Sequence, residues 1–210
     1  MIQTRRVVRR GAVIALVLLT FATVAVAAPS GPPVRIGGTL ALTGPLGPTA
    51  LLHKLAGEIY VDELNKGNGL LGRPVEWVLL DDQSKPELTR SLYEKLITVD
   101  KVDLLIGPYV TSGILAAMGV AQRYQKVYVH HSFGMPHLAK YEMHFPTAAF
   151  GPEPNRTLPT TVFDALAATS NPPKTVAIVT SKFSSAQFQS SGAASSGPGA
   201  GNRWKWRGGV

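Results

Sequence analysis

The 210-residue chain contains no cysteine, so no disulfide can staple it and its core alone must hold the fold. It also lacks a membrane-length apolar run. The apolar stretch from Gly11 to Val26 falls short of the ~20 residues that a spanning helix needs. Its body has little excess charge. Of the formal net charge of +8, four charges come from Arg5, Arg6, Arg9 and Arg10, and three from Arg203, Lys205 and Arg207. Residues 28–192 carry 14 Lys and Arg against 13 Asp and Glu, which removes the electrostatic support for a nucleic-acid partner. A convincing catalytic set is missing too. Ser132, a histidine and Asp82 could be cast as a triad, but no G-x-S-x-G elbow surrounds Ser132. The expectation is a protein that is not an enzyme and carries no cofactor.

The first 27 residues read as a secretory signal: a basic start, an apolar middle, and Ala25-Val26-Ala27 as small residues for cleavage. Thr4-Arg5-Arg6 faintly resembles a twin-arginine leader. The product is expected in the periplasm or on the cell surface. About 180 residues then remain, enough for one domain or for one and part of a second.

Between Val34 and Phe133 one unit recurs three times: an apolar run, a loop of Gly, Pro, Ser, Thr or Asp, and a helix-like stretch. The runs are Arg35–Leu42, Val75–Leu80 and Val102–Ile106, and Val127–His131 and Thr175–Thr180 are further strand candidates. Helices are expected over Pro48 to Lys66, with Leu51, Leu55 and Ile59 as its core stripe, and over Pro86 to Val99, with Ser84 and Glu87 as a capping box. A third, capped by Ser112, should bury Leu115, Met118 and Ala121, and a fourth spans about Leu158 to Ala168. Four prolines over residues 134–155 predict an irregular crossing. Strand–helix alternation with short loops predicts an α/β fold with a parallel sheet, whose strand-to-helix loops gather along one edge to bind a small molecule.

Two patterns are set aside. Gly67-Asn68-Gly69-Leu70-Leu71-Gly72 matches G-x-G-x-x-G, yet it follows a helix and precedes a strand, the reverse of a dinucleotide cradle, and is read as a turn. His130, His131, His137 and His144 cluster in sequence, but adjacent His130 and His131 point to opposite faces of a strand, so no metal site is expected. Asp81 and Asp82 are read as groups that cap the following loop or hydrogen-bond amides on the ligand side, not as an acid–base pair.

Ile36-Gly37 through Leu42-Thr43-Gly44-Pro45, then Gly69 to Val75, Asp81-Asp82-Gln83-Ser84 and Ile106-Gly107-Pro108-Tyr109 together resemble the N-terminal half of branched-chain amino-acid-binding proteins. These are type I periplasmic solute-binding proteins of ABC transporters. The resemblance implies two α/β lobes closing on an amino acid or related solute, and ABC permease subunits as partners, so that the membrane is met only through the permease. A ligand-sensing domain of the same fold is the alternative. By resemblance the ligand is held by Tyr109, Val110, Thr111 and Ser112, by His131, Ser132 and Phe133, and by Thr43. Thr111 and Ser112 start a helix, where free amides favour a carboxylate; the same hydroxyls can also cap that helix. Tyr109 either stacks on a ligand or covers the sheet edge.

The expected organisation is a signal over 1–27, the N-terminal part of a first lobe over 28–145, a crossover and the start of a second lobe over 146–192, and a disordered or out-of-frame tail over 193–210. That tail has no Leu, Ile, Asp or Glu. Members of the resembled family are about twice this length, so a sheet edge or face is expected to lie uncovered.

Overall fold

A computed structural model describes residues 28–132, 136–147, 151 and 153–196. The expected signal, Phe133 and residues 197–210 lie outside them. The elements are β1 (Val34–Leu40), α1 (Gly47–Lys66), β2 (Val75–Asp81), α2 (Pro86–Thr98), β3 (Leu104–Ile106), α3 (Thr111–Arg123), β4 (Tyr128–His130), a 3-10 turn (Pro136–Leu138), β5 (His144–Pro146), α4 (Pro154–Ala167) and α5 (Ser184–Ser196). The five strands are all parallel, in the order β2-β1-β3-β4-β5. The α/β parallel-sheet expectation holds. The chain runs outward from β1 to β2 and then crosses to β3 on the other side of β1. The crevice beyond the carboxyl ends of β1 and β3 is therefore the topological switch point, where such sheets take ligands.

The main core lies between the sheet and the α2–α3 pair, around Tyr93, Leu96, Val102, Leu105, Ile114, Ala117 and Tyr128. Glycine in β1 sets how closely these layers meet. A Cβ on Gly37 would fall 2.8 Å from Val102 Cγ2, and one on Gly38 would fall 2.4 Å from the Ile106 carbonyl oxygen.

The opposite face differs from expectation. Met118 and Ala121 are buried as foreseen, but Leu51, Leu55 and Ile59 are 54%, 55% and 55% exposed. The helix turns Ala50 and Gly57 inward instead. Trp77 stands on β2 under α1, and a Cβ on Gly57 would lie 2.4 Å from its Cζ3, so only the small residues fit against the sheet. Along the row Gly38–Ile106–Val129–Phe145, Gly38 is buried, whereas Ile106 and Phe145 remain 38% and 50% exposed.

Three further corrections concern local structure. Lys85, not Ser84, precedes α2, and no side chain caps it. Ser84 sits in the left-handed region at φ 62°, and its hydroxyl is engaged with the Leu46 N–H and the Thr43 carbonyl. The expected irregular crossing contains β5, whose edge Phe145-Pro146 tolerates proline because a parallel edge strand leaves one side unpaired. Thr175–Thr180 forms no strand; Val179 is 95% exposed, since no described strand lies beside it to complete a ladder. Gly67–Gly72 is indeed a turn, with Gly69 and Gly72 at positive φ and Leu70 bridged to Arg73. Residues 193–196 form the last turn of α5.

Candidate functional site

The loops that leave β1, β2, β3 and β4 meet at the switch point, and each is fixed by its own polar contacts. Asp82 is buried at the end of β2 and accepts from Thr39 Oγ1 at 2.7 Å and from the Ser84 N–H at 3.0 Å. Asp81 accepts from Thr43 through both its hydroxyl (2.6 Å) and its N–H (3.1 Å), and from the Gln83 N–H at 2.9 Å. Burial pushes the Asp81 carboxyl up, but the bonds from Thr43 and Gln83 outweigh it and leave it below the ordinary carboxylate range. At Asp82 burial wins over the bonds from Thr39 and Ser84, and the carboxyl is raised. Both aspartates thus spend their oxygens on loop geometry, as their sequence position suggested.

Below the β3 loop, Tyr93 donates to the Ile106 carbonyl at 2.6 Å, which holds the strand end against α2. The chain then passes Gly107, at φ 76°, into extended Val110 and starts α3 at Thr111. This corrects the expected cap at Ser112. The N-cap is Val110, which has no side-chain oxygen to offer, so Thr111 and Ser112 stand inside the first turn and no side chain caps it. The amides at the start of α3 thus have no capping side chain, and the dipole of that end favours an anion. Thr111 is only 1% exposed, and its Oγ1 is buried with no hydrogen-bond partner.

Thr111 is also among the residues around a cavity of about 310 Å³, whose walls include Leu46, Tyr109, Val110 and Ser132. The far wall comes from the segment entering α5, through Ser181, Phe183 and Ser185. Four of the expected site residues are therefore brought together here. Ser112 lies beside it, in a narrow crevice with Asp82 and Pro108. Thr43 is not brought in; it is exposed and bound to Asp81.

His131 joins the site through its ring, 6.0 Å from that of Tyr109, with His53 completing a trio at 4.5 Å from Tyr109 and 5.0 Å from His131. Burial, then the neighbouring His53, lowers the His131 pKa below the ordinary histidine value. Sequence reasoning missed His53 and Phe183. His53 lies four residues past Thr49, to whose carbonyl its Nδ1 is bonded, near the end of α1 that faces the loops; that position was the available signal. On the buried side of β4, His130 Nδ1 donates to the Ser132 carbonyl at 3.0 Å, so it supports this loop rather than activating the Ser132 hydroxyl.

Among the described residues, no group of three or more His, Asp or Glu could hold a metal, and no helix is long and apolar enough to cross a membrane.

The model of the periplasmic binding protein family matches residues 33–199. The chain is 34% identical over 91 residues to the chemotactic signal transduction system substrate-binding protein BasB of Halobacterium salinarum, covering 42% of this chain and 22% of that protein. Among solved structures, the leucine-binding protein LivK from Thermotoga maritima superposes with a TM-score of 0.66 at 20% identity, over 82% of this chain and 47% of that one. The Streptococcus pneumoniae substrate-binding protein LivJ in complex with isoleucine gives 0.62 at 21% identity, over 79% and 47%. A Rhodopseudomonas palustris solute-binding protein in complex with benzoate gives 0.63 at 24% identity, over 79% and 44%. The chain thus spans less than half the length of these relatives. With its parallel five-stranded sheet and its loops gathered at the switch point, it belongs to the periplasmic binding protein family.

Proposed function

We propose that this chain is the extracytoplasmic solute-binding part of an ABC importer for branched-chain amino acids or related small carboxylates, acting by binding alone. One observation carries this reading: the uncapped start of α3 lines a cavity at the carboxyl edge of the sheet, and Thr111 at that start has a buried hydroxyl with no partner. A carboxylate placed there gains amide donors, a favourable dipole and the missing partner for Thr111. The ligands named for its structural neighbours, isoleucine and benzoate, share that group. The permease subunits would be its membrane partners, and the N-terminal 27 residues its export signal.

A second reading is a sensor of the same fold. The chemotaxis role in the name of the 34%-identical relative favours it. Carboxylate capture is common to both.

Two closing lobes share a ligand's contacts. A micromolar complex is worth about −8 kcal/mol, so roughly half those contacts leave about −4, near millimolar. Titration of the ¹⁵N-labelled chain with leucine, isoleucine and benzoate tests the reading. Amide shifts centred on Thr111–Gly113 and saturating near millimolar are expected. No shift with any of the three, on a chain with a dispersed spectrum, would overturn it.

A further inference from the structure

His53 and His131 put a place for a proton beside the solute cavity. The His53 ring lies 4.5 Å from that of Tyr109 and 5.0 Å from that of His131. Tyr109 and Ser132, the residue after His131, both line the cavity. His53 Nδ1 is bonded to the Thr49 carbonyl at 2.9 Å, and a carbonyl can only accept, so Nδ1 carries the hydrogen. The free lone pair of His53 is therefore on Nε2, and a proton arriving there leaves the bond to Thr49 intact. The imidazolium so formed lies close enough to the Tyr109 ring for that ring to favour a cation. Two cations 5.0 Å apart repel, so the pair takes one proton rather than two. His131 is already held below the ordinary histidine value, by burial first and then by His53, which leaves His53 as the ring that charges.

The other charged groups at this corner are engaged elsewhere. Lys54, next to His53 on α1, pairs with Glu58 at 2.6 Å, and His130, next to His131, bonds to Ser132 and His144. In the crevice beside Tyr109, Asp82 holds Thr39 and Ser84, and Lys85 holds Gln83. Lys182, between the wall residues Ser181 and Phe183, is exposed and screened by solvent. An anion in the cavity and a proton on His53 would thus each stabilise the other. We infer that a solute carboxylate enters this cavity together with one proton, taken up at His53 Nε2, so that capture strengthens in mild acid. This inference rests on the solute-binding reading above and adds its regulation. The sign follows from linkage: the liganded chain holds the proton more tightly, so lowering the pH favours the liganded chain.

The test is the affinity of the full chain for benzoate, read by NMR titration at pH 8, 7 and 6. Benzoate stays ionised throughout, since carboxylates titrate near ~4. Its affinity is expected to rise several-fold from pH 8 to pH 6, up to about ten-fold if the liganded chain holds the proton ten-fold more tightly. Benzamide, the same ring without the charge, should show no such rise. His53→Gln removes the ring that takes the proton and should flatten the benzoate profile, whereas His131→Gln should leave it rising. Far-UV circular dichroism at each pH excludes loss of fold as the cause. A flat benzoate profile in the parent, or a profile that rises as steeply in His53→Gln, would overturn the proton coupling and leave the solute-binding reading standing. A folded chain that binds benzoate at none of the three pH values would overturn the solute-binding reading, and this inference with it.

Discussion

The Nε2 atoms of His130 and His144 lie 3.0 Å apart, joining β4 to the edge strand β5. Because His130 Nδ1 donates to the Ser132 carbonyl, its Nε2 must accept, and His144 Nε2–H is the donor. A pair with both rings protonated has no acceptor left and cannot make this bond. The imidazole of His130, fully buried, is lowered to about 4, first by burial and then by the charges of His144 and His131. His144 is lowered by burial as well.

The pair should make stability fall in mild acid. The unfolded chain takes up a proton near pH 6.5, whereas the folded state resists it until about 4. Stability present above pH 6.5 is therefore lost as pH falls toward 4, on the order of 3 kcal/mol for His130. Urea unfolding at pH 7.5, 6 and 5 measures it. A His130→Gln variant should show a flatter profile than the parent; parallel profiles would refute the assignment.

Asp82 should be a structural group without catalytic work. Asp82→Ala strands the buried Thr39 hydroxyl and the Ser84 N–H, at a cost of about 1–3 kcal/mol. Asp82→Asn keeps the size and one acceptor and should cost less. Denaturant midpoints for the two variants check the order, and equal midpoints would contradict it.

Gly38 should tolerate no side chain. The atom facing its would-be Cβ is the Ile106 carbonyl oxygen, which the β1–β3 pairing holds in place. Gly38→Ala is expected to destabilise by about 1–3 kcal/mol, read as a lower melting temperature. Gly72→Ala meets no atom within 4 Å and loses only its positive-φ freedom, so it should cost less.

The outer face of α1 should drive association. Leu51, Leu52, Leu55, Ile59 and Tyr60 are all more than half exposed, a contiguous apolar stripe of the kind that soluble monomers avoid. Analytical ultracentrifugation should find species above the monomer mass of 22.4 kDa. Leu55→Lys combined with Ile59→Lys should reduce them while changing stability by less than about 0.5 kcal/mol, since neither side chain is in the core. A large loss of stability would mean that the stripe is buried after all.

The sheet and its loops were legible because a buried parallel strand writes itself as a continuous apolar run, and Gly, Pro and Asp mark where it ends. Leu51, Leu55 and Ile59 misled because periodicity says that one face is apolar, not that a partner exists to cover it. The inward face was decided by Trp77, a neighbour distant in sequence. β5 was missed since its residues, His144-Phe145-Pro146, are too few and too proline-rich to signal a strand. Thr175–Thr180 has the opposite fault: it reads as a strand but has no described strand to pair with. In the site, Tyr109–Ser112 was readable from helix-start chemistry, whereas His53 and Phe183 reach it from elements far along the chain.

Thr111→Val offers the most direct test of the site. Removing a buried hydroxyl that has no partner in the free protein should leave the melting temperature unchanged or raise it, by up to about 1 kcal/mol of stability. The same change should weaken benzoate binding by about ten-fold, because the ligand supplies that hydroxyl's partner. A variant that is destabilised but binds benzoate as the parent does would contradict the site, and would return Thr111 to a purely structural role.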